Sequence, residues 1–245
     1  MDKIITAIQM QFKTLRIYLL QLFLVVFVMP FSYALVVLLS SGTQNVSVSY
    51  LLSGYIVSTL ISTFLAMLAL SITNLRQKEV LELYSTYAVT FPEVIVSVCL
   101  TYVLIVLPII VAVLSFILIH VASVNYLMFF LAIIISILFL LCFSVYLGLS
   151  MKNLFIANGL LQLISWAFIL FSPIYYSFQS QSTVFKYVLL INPTTHLLNI
   201  IRIPLGFAPV ASVWISYMYV SLLIALMLLY ISKRVRSTYI LEKIF

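Results

Sequence analysis

The chain has 245 residues, of which twelve are Lys or Arg and five are Asp or Glu. Charged residues make up 7% and hydrophobic residues 65%, against roughly 25% charged in an average soluble domain. So little charge cannot keep so much apolar surface dissolved. This excludes a soluble enzyme, a nucleic-acid binder and a disordered chain, and points to an all-α polytopic membrane protein.

Residues 1–17 come first. Ile4, Ile5, Ile8, Phe12 and Leu15 recur at spacings of three and four, with Lys3, Lys13 and Arg16 between them. This predicts an amphipathic helix lying on the membrane surface; the alternative is an extension of the first span. A single six-span domain over 18–245 follows. Its apolar stretches are 18–39, 51–73, 93–119, 126–150, 154–171 and 212–232, each near the length that crosses a bilayer. The first is too long for a signal-peptide core and reads as an uncleaved span. Pro30 and Pro108 each remove one backbone bond and predict kinks in spans one and three.

Between spans two and three lies a charged loop, 74–92. Arg76, Gln77, Lys78, Glu79, Val80, Leu81, Glu82, Leu83 and Tyr84 suit a short helix with an apolar side. Arg76 and Glu79, and Lys78 and Glu82, are spaced to pair along it. The helix is too short to be stable alone, which favours docking to a partner over a solvated loop. Thr90 and Glu93 form a capping box that opens span three.

Between spans five and six the outer segment 172–210 is apolar but broken. Asn192 is a good N-cap, Pro193 fits the first helical position, and Arg202 suits the helix C-terminus by charge. Pro204 and Gly206 stop the helix. Tyr175, Tyr176, Asn192, Pro193, Thr194, His196 and Arg202 belong to outer helices that either brace the bundle or gate it.

Two polar patterns run inside spans. Gly54, Ser58, Ser62 and Ala66 recur every four residues and permit close helix packing. Asn158, Gln162, Ser165 and Ser172 form a stripe on span five that either glues helices or lines a path.

Ten of the twelve bases fall on one side of this layout. The other side has Lys186 and Arg202 alone. By the positive-inside rule both termini are cytoplasmic. There is no phosphate-cradling GxxxxGK[ST], no catalytic constellation and no metal-ligand spacing. His120 and His196 are isolated near segment ends. Cys99 and Cys142 read as free thiols whose contact is left open.

This combination resembles the permease subunits of type-2 ATP-binding-cassette exporters. Leu75-Arg76-Gln77-Lys78-Glu79-Val80-Leu81-Glu82-Leu83, with Pro92 opening span three, resembles the family's coupling helix. Phe171-Ser172-Pro173-Ile174-Tyr175-Tyr176 and Ile191-Asn192-Pro193-Thr194-Thr195-His196 resemble its outer region. Many members have Ser-Gly where Ser172-Pro173 stands, and Pro where Ser177 stands. The resemblance implies a homodimer or paired permease in the cell membrane, with no cofactor on this chain. ATP and magnesium would be bound by separate cytoplasmic ATPase subunits. The cargo would be a small hydrophobic or amphipathic compound moved outwards. A self-contained transporter or channel, a lipid-modifying enzyme and a membrane scaffold are the other classes that the residues leave open.

Overall fold

The structure, a computed structural model, describes residues 2–17, 19–32, 35, 48–85, 89–120 and 124–235. The end of the first predicted span and the C-terminal bases Arg236 and Lys243 lie outside the described residues. So do the side chains of Lys3, Lys78, Leu83 and His120. Among the described residues every element is a helix.

Helix α1 is Asp2–Ile17. Helix α2, Leu19–Ser32, leaves it at an angle of 88°. A widened π turn occupies Leu24–Val28, closed by Met29 N–H donating to the Leu24 carbonyl. It sits just before Pro30, whose ring displaces the carbonyl four residues back and whose nitrogen cannot donate. At Pro30 the structure thus shows a π turn one turn earlier within a helix that runs on to Ser32. Helix α3 is Val48–Asn74, with a second π segment at Ser62–Leu68. Helix α4 is Lys78–Ser85 and α5 is Phe91–His120, unbroken across Pro108. The expected capping box opens α5: the Glu93 carboxylate accepts from Thr90 N–H at 2.7 Å and from its hydroxyl at 2.8 Å. Helices α6, Tyr126–Ser150, and α7, Leu154–Leu170, follow. Each has an asparagine N-cap, Asn125 and Asn153. Helices α8, Thr183–Ile191, and α9, Pro193–Arg202, meet at 91°. Helix α10 is Val213–Val235.

Four helices, α3, α5, α6 and α10, are long and apolar enough to cross a membrane, or up to six if each bent pair counts as one span. At 17 residues, α7 is shorter than the other single spans.

Helix α3 is the hub. It packs against α2, α5, α6, α7 and α9. Its apolar window is 89% buried, while that of α10 is 22% buried. A helix that is apolar all round belongs inside, and small residues let its neighbours approach. A Cβ added to Gly148 of α6 would stand 2.6 Å from the Ala69 carbonyl oxygen of α3. At the opposite end a Cβ on Gly54 would stand 2.7 Å from the Ile174 carbonyl oxygen. No larger residue fits either place without moving backbone.

The two ends of the bundle differ. Arg76 donates to the carbonyls of Leu149 and Met151 at 2.8 and 2.7 Å. Ser150 reaches the Tyr230 hydroxyl at 3.3 Å, and the Arg234 guanidinium lies 5.7 Å from the Tyr230 ring. Gln11 of α1 donates to the hydroxyl of Tyr84 on α4. Arg76 and Arg234, one from a loop and one from a helix end, therefore gather at one end, called here the basic end. Segment 172–176 and α9 lie at the other.

Candidate transport machinery

At the far end, helix α7 stops at Leu170 and the chain turns irregularly through Ser172-Pro173-Ile174-Tyr175-Tyr176. Such a turn leaves carbonyls without helical partners, and buried carbonyls need donors. Arg202 supplies them. It is 4% exposed. Its guanidinium donates to Pro173 O at 2.6 Å, Ile174 O at 2.5 Å, Ser53 Oγ at 3.0 Å and Tyr50 O at 3.4 Å. It also lies 3.6 Å from the centroid of the Tyr50 ring, a cation–π contact. Tyr50 adds its own hydroxyl to Tyr176 O at 2.8 Å. Arg202 stands in the last turn of α9, where its charge was expected to suit the helix C-terminus, and its guanidinium also takes a role that the position did not announce. The side chain turns into the bundle because unpaired carbonyls there need a forked donor, and among the described residues no carboxylate pairs with it.

The other residues of the outer segment join the same knot. The Tyr175 hydroxyl donates to Pro30 O at 3.2 Å and meets Ser58 Oγ at 2.8 Å. Tyr176 donates to Leu170 O at 3.0 Å, and Ser172 to Phe168 O at 2.7 Å. Asn192 caps α9 by accepting from Thr194 N–H at 3.0 Å. Its amide nitrogen donates back to Phe171 O at 2.6 Å and Phe168 O at 3.2 Å. Pro193 begins α9 as expected, and Thr194 is buried. His196 ties α9 to its neighbours: Nε2 donates to Leu190 O at 2.9 Å, and Nδ1 accepts from Ser216 Oγ at 3.1 Å. The carbonyl of Leu190 can only accept, which fixes that tautomer. Gly206, with φ +84°, ends the helix in the left-handed region that favours glycine.

In the middle of the bundle the two predicted stripes face each other. Ser62 and Ala66 of α3 meet Gln162, Ser165 and Ile169 of α7 around a cavity of about 10 Å³, closed by Val25 and Met29 of α2 and by Trp166. Ser165 is spent within its own helix, donating to Leu161 O at 2.9 Å. Asn158 lies on an exposed face of α7 instead.

Below this, towards the basic end, a chamber of about 330 Å³ opens. It shares Ala66 and Gln162 with the smaller cavity. Its walls come from α1, α2, α3, α4, α5 and α7. The polar groups on them include Gln11, Gln21, Ser71, Asn74, Tyr84, Tyr102 and Gln162, and among the described residues none of the lining is charged. Ser71 and Tyr102 pair at 2.7 Å.

The charged helix α4 forms part of this chamber through Val80 and Tyr84. Leu81 and Tyr84 are buried, while Glu79 and Glu82 are exposed. Burial pushes the Tyr84 phenol above its ordinary range, so it stays neutral beside Gln11. Gln77 opens the helix, its carbonyl accepting from Leu81 N–H at 3.0 Å. Arg76 precedes the helix and is engaged with the end of α6, so its expected pairing with Glu79 gives way to the orphan carbonyls of Leu149 and Met151.

Tyr50, Ser53, Gln11, Asn74 and Tyr102 were not singled out from the sequence. Tyr50, Ser53 and Gly54 share one turn of α3, and that cluster was the available signal. Nothing local marks the others, because helices far apart in sequence bring them together.

An all-helical bundle with several membrane-length apolar helices is a multi-pass membrane protein. A family model described as ABC-2 type transporter matches residues 4–206. The chain belongs to that family, the permease domain of type-2 ABC transporters. It is a transport component and not itself catalytic. No curated protein matches the sequence.

Proposed function

We propose that the chain is the membrane-spanning subunit of an ATP-driven exporter. One observation carries this reading. The charged helix α4 presents Glu79 and Glu82 outwards while its other side lines the neutral chamber. A push on α4 from outside the bundle therefore reaches the chamber wall directly. Arg76, Gln77, Lys78, Leu81, Leu83 and Tyr84 complete the coupling element. The pushing partner is a cytoplasmic ATPase subunit that binds ATP and magnesium. The functional unit is a homodimer or a pair of permeases.

The basic end faces the cytoplasm, and α1 rests on the membrane surface there. Six spans then place both termini inside. The chamber receives a small hydrophobic or amphipathic cargo, such as a drug, a lipid-like compound or a peptide. Alternating access carries it past Ser62, Gln162 and Ser165 towards the outer gate formed by Tyr175, Tyr176, Asn192 and Arg202. Stripe residues without cavity contact, Gly54 and Ser58 among them, serve helix packing.

Replacing both Glu79 and Glu82 by Lys reverses the charge that α4 presents. The expected result is loss of cargo-stimulated ATP hydrolysis in the assembled complex, with normal amounts of permease in the membrane. Unchanged stimulation would remove α4 from the coupling role.

A further inference from the structure

The chamber at the basic end carries more than a shape. Most of its polar groups already have partners. Gln11 donates to the Tyr84 hydroxyl, Ser71 and Tyr102 pair at 2.7 Å, and Thr14 donates to its own helix at 3.1 Å. Three side-chain amides do not. Among the described residues, Gln21 of α2, Asn74 at the end of α3 and Gln162 of α7 line the chamber with no side-chain hydrogen bond. They come from three helices and converge on one space. Each amide offers both a donor and an acceptor.

The remaining wall is apolar, with Met67, Leu70 and Leu154 among its residues. Among the described residues none that lines it carries a charge. A charged group placed here would meet apolar walls and no counter-ion among the described lining residues, a penalty that a neutral polar group avoids. A volume of about 330 Å³ lies at the lower end of small-molecule sites and is too small for a folded partner or a polymer.

We infer that the chamber is a binding site for an uncharged amphiphile. The ligand has an apolar body and a compact head that both donates and accepts hydrogen bonds, as a carboxamide or urea does. Gln21, Asn74 and Gln162 read the head. Met67, Leu70 and Leu154 hold the body. That this ligand is the exported cargo rests on the permease reading above; that it binds does not. Binding is therefore tested on the full-length permease alone, in lipid nanodiscs, without ATPase or ATP.

Three photoreactive probes share one medium-length diazirine-bearing alkyl chain and differ in the head: carboxamide, carboxylate or quaternary ammonium. After irradiation, adducts are mapped by peptide mass spectrometry. Leu222 and Leu226 on the exposed face of α10, 59% and 54% exposed, report simple partition into the bilayer and serve as the internal control for each probe. The expected result is that the carboxamide alone labels Met67, Leu70 or Leu154 in a saturable way, and that excess unlabelled carboxamide competes. Combining Asn74→Leu with Gln162→Leu removes two hydrogen bonds and should cut that labelling by about tenfold relative to the α10 control. Gln162→Glu adds one negative charge to the wall. It should admit the ammonium probe to the same positions, a gain that a misfolded variant would not show.

Equal chamber labelling by all three probes overturns the neutral-ligand assignment. So does chamber labelling by the carboxamide that is indifferent to Asn74 and Gln162. Labelling confined to α10 overturns the site itself. Chamber labelling that behaves as expected, in a complex that then fails to move the carboxamide with ATP, leaves the site standing and sinks only its identification as cargo.

Discussion

At the residue scale, the far end of the bundle depends on one side chain. Arg202 makes five contacts with groups from two segments, and no other residue type offers a flat fork of donors on a stem of that length. Arg202→Lys keeps the charge but cannot reach all the carbonyls. It should destabilise the bundle by about 2–4 kcal/mol, because buried acceptors are left without donors. Thermal unfolding in nanodiscs measures this, and a shift within error of wild type would mean that the carbonyls find other donors. Gly54→Ala makes a complementary test, since the added methyl would sit 2.7 Å from the Ile174 oxygen. Gly159→Ala is its control, with nothing within 4 Å of the new Cβ. The first should lower the unfolding temperature. The second should leave it unchanged or raise it, since alanine favours helix by about 1 kcal/mol. The sequence marked Gly54 for close packing, and the approach of Ile174 uses it so, whereas it marked Arg202 only for its place at a helix end. Position at a helix end suggested a dipole contact, and the carbonyls that claim the guanidinium belong to a turn about thirty residues away.

At the element scale, α4 is tied at both ends. Arg76 holds its approach to α6, and Tyr84 holds its last turn to Gln11 of α1. A helix of eight residues has little stability of its own. Gln11→Leu should therefore speed amide hydrogen exchange across 78–85 while leaving α6 protected; equal protection in both proteins would show that the tie contributes nothing. The existence of most elements was legible. Long apolar runs, the capping box of Thr90 and Glu93, and the Asn192-Pro193 start are local signals, and the structure follows them. The two π turns were not legible. Pro30 marks a local disturbance in the first case but not its form, and nothing local in the sequence marks the stretch Ser62–Leu68.

At the scale of the whole molecule, the arrangement makes a topological prediction. Cysteines placed at exposed Lys152 and near the end of α10 at Lys233 should react with an impermeant reagent from one side of the membrane. A cysteine at exposed Ser180 should react from the other. Labelling of Lys152 and Ser180 positions from the same side would contradict the cytoplasmic assignment of the basic end. The charge asymmetry was visible in the sequence because it depends only on position along the chain. The chamber was not. Its three unpartnered amides lie on three helices, and only their packing turns separate polar residues into one wall.

The π segment of α3 also explains how a repeat of four can make a straight stripe. On a regular α-helix each step of four overshoots a full turn by about 40°, so Gly54 and Ala66 would end about 120° apart. The turns of a π helix are wider, and each residue there advances by a smaller angle. Ser62 and Ala66 both lie in the widened stretch Ser62–Leu68. The last step of the repeat therefore falls short of the drift that the earlier steps accumulate. Gly54 can rest against Ile174 while Ala66 still borders Gln162, on what remains one side of the helix. Restoring ordinary helical winding at 62–68 would turn Asn74 and the start of the charged loop relative to Gly54. The winding of one short stretch thus sets the angular relation between the two ends of the protein.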